Sequence, residues 1–391
     1  MARSRIHRWS PRLLAAVPLV LLASALTGCL SAPGDTSKVV KVGSTEVGGW
    51  HYDYYENRAY PCSISGYQTF AIGTRLGSSK TADRPLWVKM RGGGKGYFDD
   101  AGMPQPSAAN KSQISLTEML KYDTPGLMAK VKAAPEGFRT LLVSMCSHDL
   151  YAGNNNTDPY NPNKAPNGKA RTTNGLIATK AAIQFARSTL PTTDHFLHGT
   201  SAGGAGVFHV AWALEQQDLA PAGVVSDSGI VDQDRSSALP PQCRAGEDGD
   251  NDRGRLAARV DPEVADPDNQ PDLLVAREDL TVPIAHVWNH GDPLSCGRTP
   301  MACTVRNDFT VTLGVTDCRH EDMRRAIAAQ GSSSRSRNFP VCVTPPGAAP
   351  CALHVVTTRQ GAVNTDPATP ADYQAAIFTW VRARLADPPT G

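Results

Sequence analysis

The sequence predicts an α/β protein with a mostly parallel central sheet flanked by helices on both faces. Two observations carry this expectation: strand-length apolar runs alternate with helical-period segments, and no repeat of about 20–50 residues occurs. A third is size, since 391 residues suffice for one large domain with a substantial core.

Residues 86–90 and 140–145 read as short buried strands bounded by Gly, Pro or polar turns. Residues 174–190 predict a helix, because Leu176, Ile183 and Leu190 recur seven apart with Ala, Phe and Ile between them. A strand at 196–198 then runs into Gly199, and a helix follows at 205–214. Strands are expected at 223–226, 282–288 and around 354–357, and a closing helix at 371–386 places Tyr373, Ile377, Trp380 and Leu385 on one face.

Two stretches break the alternation and are expected to run over the surface: 154–169, rich in Asn, Pro and Gly, and 232–272, long and acidic. Within the second, Asp248, Asp250 and Asp252 stand at alternate positions, a spacing that can surround calcium. Gly254 is misplaced for a calcium loop and residue 259 is Arg rather than Glu, so a solvated acidic loop is the expectation.

The N-terminus carries Arg3, Arg5, His7, Arg8 and Arg12 ahead of an apolar run at 13–26 that contains Pro18. That run is short for a membrane span and suits a signal peptide. It ends in Leu26-Thr27-Gly28-Cys29, which resembles the lipobox of bacterial lipoproteins. The expectation is a signal peptide over 1–28, lipidation at Cys29, a flexible Ser/Thr/Gly-rich tether over 29–49 and one folded domain over 50–391. Ordinary secretory cleavage is the alternative. No adjacent Arg pair supports a twin-arginine signal. The protein is thus expected outside the cytoplasm, held by lipid to the cell membrane or an outer membrane, and as a monomer.

Eight further cysteines remain, an even number that suits disulfides in an exported chain. Short loops favour Cys296 with Cys303 and Cys342 with Cys351. No paired CxxC units suggest zinc, and no metal or organic cofactor is expected. Thirty-nine basic residues against 37 acidic ones, without a dense basic block, argue against nucleic acid as a partner.

The sharpest chemical signal is Gly199-Thr200-Ser201-Ala202-Gly203-Gly204, between a predicted strand and a predicted helix. A serine nucleophile must project from the backbone, and a strained strand-to-helix turn flanked by glycines presents it. The helix behind supplies aligned N–H groups, with that of Ala202 facing a developing oxyanion. Gly92-Gly93-Gly94 follows the strand at 86–90 and can supply further oxyanion donors. An acid and then a base should follow the serine. Asp292 comes after the strand at 282–288 and His354 lies well downstream, with Asp227, His290 and His320 as rivals. Asp227-Ser228-Gly229 also admits reading as a second serine site, but lacks the elbow pattern. His148 and His209 are expected to be packed histidines, and Cys146 structural, since no upstream His/Asn arrangement supports a cysteine nucleophile.

The motifs RGGGKGY (91–97), CSHDLYAGN (146–154), HGTSAGGAG (198–206), SDSG (226–229) and PCALH (350–354) resemble the pectinacetylesterase and Notum family of carboxylesterases. The resemblance implies an α/β-hydrolase-like fold with disulfide-bonded loop insertions and a triad of Ser201, Asp292 and His354. It assigns oxyanion N–H groups to Gly93, Gly94 and Ala202, and an acylated, pectin-like polysaccharide as substrate. A longer-chain deacylase and a surface-binding protein without catalysis are the competing expectations. Where the family commonly has Trp and Cys after the oxyanion glycines, this chain has Lys95 and Gly96, with Tyr97 following. Tyr97 is either a replacement for the acyl-side aromatic or an ordinary packing tyrosine.

Overall fold

Apolar residues at successive strand positions must be covered on both faces of a sheet, because neighbouring side chains point in opposite directions. The computed structural model describes residues 30–105, 112–121, 123, 125–229, 239–240, 243, 257–305, 309–331 and 335–386. Its main sheet contains β1 (Val39–Val47), β2 (Trp50–Pro61), β3 (Tyr67–Arg75), β4 (Arg84–Met90), β5 (Arg139–Val143), β6 (Thr192–Thr200), β7 (Gly223–Asp227), β8 (Ile284–Asn289) and β9 (Arg337–Val341). The spatial order is β1-β2-β3-β5-β4-β6-β7-β8-β9. The first three strands and β5 pair antiparallel, and every pairing from β5 through β9 is parallel.

Helices α1 (Leu127–Ala133), α2 (Gly175–Thr189), α3 (Ala202–Glu215), α4 (Pro271–Ala276), α5 (Val315–Ala329) and α6 (Tyr373–Ala386) cover the sheet. Strand alternation divides the core accordingly. Leu86, Val88, Val224 and Ile284 join the side chains of α2, α3 and α4, whereas Trp87, Val225 and Ala285 join those of α1 and α6. This is the α/β architecture, a mostly parallel sheet between two helical layers, that the alternation predicts.

Four expectations are corrected. Residues 30–49 are not a tether throughout: β1 pairs with β2 across a Gly48-Gly49 turn, both glycines at positive φ, as a tight hairpin requires. Leu30 is buried, and Lys180 of α2 donates to the carbonyls of Leu30 and Ala32 at 2.7 and 2.8 Å. Residues 1–29, with the signal segment and Cys29, lie outside the described residues. Residues 354–357 form no strand, and the last strand is β9. Pro340 lies in β9, where the strand borders the sheet and needs hydrogen bonds on one side only.

The disulfides are Cys62–Cys146, Cys243–Cys296, Cys303–Cys318 and Cys342–Cys351. The Cys342–Cys351 expectation holds. Cys296 does not pair with Cys303, because Cys303 sits on the buried face of the Pro300–Val305 strand, turned with Met301 and Val305 toward α5 and Cys318. Side-chain direction overrides the ease of closing a short loop. Four disulfides fit an oxidising, extracytoplasmic compartment. Among the described residues no helix is long and apolar enough to cross a membrane.

The surface-excursion expectation fails in part. Arg259, fully buried, pairs with buried Asp158 at 2.9 Å and donates to Ser147 O at 2.8 Å, so the two unusual stretches are tied together. Asp248, Asp250 and Asp252 lie outside the described residues.

Candidate active site

β6 ends at Thr200 and α3 begins at Ala202, which leaves Ser201 alone to make the reversal. Its backbone sits at φ 53°, ψ −122°, a conformation that costs a non-glycine residue about 1–3 kcal/mol. The surroundings hold it there: Ser201 N–H donates to Asp227 O at 2.8 Å, and Ala205 N–H donates to Ser201 O at 3.1 Å. Ser201 is half-buried at the N-terminus of a helix whose next thirteen residues are buried. The serine therefore faces outward from a rigid base, with the Ala202 N–H beside it.

The glycine run follows β4 and lies against this elbow. A Cβ on Gly92 would come 2.8 Å from Ser201 Cβ and 2.7 Å from Thr200 O, so glycine is required for the approach. Gly93 and Gly94 adopt φ 155° and 74° and are exposed, leaving their backbone accessible. The loop after β5 braces them: Tyr151 Oη donates to Arg91 O at 2.9 Å, and Gly96 N–H donates to His148 O at 3.1 Å. His148, Leu150 and Tyr151 all sit at positive φ in that loop. Burial pushes the Asp149 carboxyl up, although it accepts N–H bonds from Gly175 and Tyr151. Tyr97 is buried in a two-residue strand paired with Gln105, and Lys95 is half-buried.

Asp292 follows β8 and His354 follows the Cys342–Cys351 staple. His354 Nδ1 donates to Asp292 Oδ2 at 2.6 Å, while Leu294 N–H donates to Asp292 Oδ1 at 2.9 Å. The carboxylate is 1 % exposed, so the imidazole meets an oriented, poorly hydrated partner. Such a contact places the proton on Nδ1 and leaves Nε2 as the basic nitrogen. That Nε2 is buried and, among the described residues, has no hydrogen-bond partner, Ser201 Oγ included. Gly291 permits the meeting, because a Cβ there would lie 2.8 Å from Pro350 O and 2.9 Å from Cys351 O.

The rivals are otherwise engaged. His290 gives Nδ1 to Asp317 at 2.6 Å and Nε2 to Asp366 at 2.8 Å, so neither nitrogen is left for a serine proton. His320 Nδ1 meets His286 Nε2 at 2.9 Å; burial holds His320 well below the usual histidine range and His286 down to about 4. Asp227 spends its carboxylate on Val356, Thr357 and Ser228. Ser228 donates to Asp227 Oδ1 at 3.0 Å, so its hydroxyl proton is already engaged. His209 lies on α3, its pKa pulled down to about 4 by burial.

Sequence reading missed the polar group beneath the elbow. Lys89 of β4 and His198 of β6 are paired in register, both buried, with Lys89 Nζ 3.2 Å from His198 Nε2 and 3.4 Å from Nδ1. Burial pulls the Lys89 ammonium down to about 7, opposed by the charges of Asp227 and Asp123. His198 Nε2 reaches Thr357 Oγ1 at 2.9 Å. A lone lysine inside the run Leu86-Trp87-Val88-Lys89-Met90 was the available signal, since a charge in a buried strand demands partners.

No family model and no curated protein matches this chain. Among solved structures it is similar to esterase B from Lactobacillus Rhamnosis (HN001), at 12% identity over 88% of each chain and a TM-score of 0.47. It is also similar to the Wnt deacylase Notum from Drosophila, at 14% identity over 89% of this chain and 94% of that one, with a TM-score of 0.46. A third likeness is to a thermostable esterase from Pseudomonas putida ECU1011, at 11% identity over 93% and 88% of the two chains and a TM-score of 0.44.

Proposed function

We propose that the chain is a serine carboxylesterase in which Ser201, His354 and Asp292 act as nucleophile, base and orienting acid. The observation that carries this reading is the His354–Asp292 hydrogen bond at 2.6 Å, with Nε2 of the same ring unpartnered. Ser201 Oγ attacks the ester carbonyl as His354 Nε2 takes its proton, and Asp292 stabilises the resulting imidazolium. The carbonyl oxygen becomes negative and is met by the N–H groups of Gly93, Gly94 and Ala202. Collapse expels the alcohol, which takes the proton from His354 and leaves an acyl-serine. Water then attacks that ester, its proton passing to His354, and the acid departs as Ser201 recovers its hydrogen.

The substrate we infer is an O-acetyl ester on a pectin-like polysaccharide, a reading supported by the family motifs around Gly92, Ser201 and His354. Lipidation of Cys29 belongs to the same proposal, with the membrane touched through that anchor alone. The test is fluorophosphonate labelling with mapping of the modified peptide, together with turnover of acetate, butyrate and palmitate esters. Labelling at Ser201, its loss in Ser201→Ala and a preference for acetate are expected. Faster turnover of palmitate would replace the acetylesterase reading with a long-chain deacylase, and absence of both labelling and turnover would leave a binding protein.

A further inference from the structure

We propose that Asp227 is a positioning residue that locks the Ser201 elbow and the His354 loop to each other; this rests on the esterase reading above. Asp227 ends β7 and is fully buried, and its two ends serve two different loops. Its main-chain carbonyl accepts the Ser201 N–H at 2.8 Å, at a residue held at φ 53°. Its carboxylate receives the chain directly after His354. Thr357 N–H and Oγ1–H reach Oδ2 at 2.7 and 2.6 Å, and Val356 N–H reaches Oδ1 at 3.2 Å. Ser228 completes the set, accepting from Val355 N–H at 3.3 Å while donating to Asp227 Oδ1 at 3.0 Å. Three successive N–H groups therefore converge on Asp227-Ser228.

This convergence explains why 354–357 is not a strand. Val355 sits at φ 60°, costly for a β-branched residue, so the chain turns its donors inward and away from any ladder. The loop is oriented by one carboxylate, and the His354 ring is presented at its entrance. A second layer holds that carboxylate. Thr357 Oγ1 donates to Asp227, so toward His198 Nε2 it acts as acceptor, which puts the His198 proton on Nε2; Lys89 Nζ lies 3.2 Å from that nitrogen and 3.4 Å from Nδ1, the one left to accept. Lys89, His198, Thr357 and Asp227 thus form a buried relay of hydrogen bonds running from β4 to the His354 loop. A carboxylate is needed, because it accepts at both oxygens, whereas the amide of an asparagine would set its NH2 against the Thr357 or Val356 donors.

The test uses the full chain and compares Asp227→Asn, Thr357→Val, Thr357→Ser, His354→Ala and the double variant Asp227→Asn/His354→Ala, with Ser201→Ala as control. Asp227→Asn is expected to lower kcat on an acetate ester, and the fluorophosphonate labelling rate, by about 100-fold with KM within about two-fold. Thr357→Val is expected to lose about ten-fold, and Thr357→Ser, which keeps the donor, distinctly less. In the His354→Ala background, Asp227→Asn should change the residual rate by less than about two-fold, because the loop it holds then carries no base. Wild-type turnover in Asp227→Asn would overturn the proposal, and so would an equal loss with and without His354, which marks a residue needed only for folding. Should Asp227→Asn fail to fold, the threonine pair decides, and equal rates for Thr357→Val and Thr357→Ser overturn the assignment. Persistent turnover in Ser201→Ala is a separate result, which removes the esterase reading itself.

Discussion

Asp292 is buried and receives one imidazole N–H and one backbone N–H, so its charge is directed rather than diffuse. Replacing it by Asn keeps the volume and removes the partner that selects the His354 tautomer; kcat should fall by about 10³–10⁴-fold, measured under saturating acetate ester. Gly291 is a second sensitive point, since the β-carbon of alanine would enter the space held by the Pro350 and Cys351 carbonyls. Gly291→Ala should cost about 1–3 kcal/mol in denaturant unfolding and lower turnover at the same time. At this scale much of the site is legible in the sequence. Ser201 announces itself because an elbow is a local pattern, whereas the choice among Asp292, Asp227, His290 and His320 depends on contacts across 27 to 130 residues that only folding creates.

Elements meet at His290, where the end of β8, the first turn of α5 and the loop at Asp366 share one imidazole. Burial lowers its pKa, but the hydrogen bonds and charges of Asp317 and Asp366 outweigh that effect and raise it above 6.5. A raised histidine pKa means that the stability it lends is complete below about pH 6.5 and is lost as pH climbs through the higher folded-state value. Wild-type Tm should therefore decline on going upward from pH 6.5, and His290→Gln should flatten that decline; parallel curves for the two proteins would contradict the linkage. The Cys342–Cys351 bridge joins β9 to the His354 loop across nine residues. Its removal by serine at both positions should destabilise by about 2–3 kcal/mol in chemical denaturation, with activity lost at lower denaturant than tertiary structure. Strands 86–90 and 223–226 were readable because apolar runs of that length suit a covered parallel sheet. Helix α5 was not, because its buried Val315, Cys318, Met323, Ala326 and Ile327 are interleaved with buried Arg319, His320, Glu321 and Asp322, which mask the apolar period.

At the scale of the whole molecule the composition of residues 29–49 predicts a flexible leader on a folded body, and the structure places a paired strand at 39–47 instead. Signals for the hairpin were present, since Gly48-Gly49 lies between two residue runs that pair, but the Ser/Thr/Gly composition suggested a loose segment instead. Gly34 abuts Ala181 of α2, where a side chain would collide, and Lys180 and Gln217 grip the carbonyls of Leu30 and Ala32. Lys180→Met removes the shorter of the two donors to each carbonyl and leaves only Gln217, so limited proteolysis should cut within 30–37 faster while turnover of a soluble acetate ester is retained. The grip on Leu30 has a mechanical meaning. Were acyl chains attached at the preceding cysteine, they would begin about 3.8 Å from a residue already sunk into the protein, leaving no slack between lipid and enzyme. Such an anchor would have little free chain to swing on, so the folded body would stay within a few residues' reach of the membrane surface.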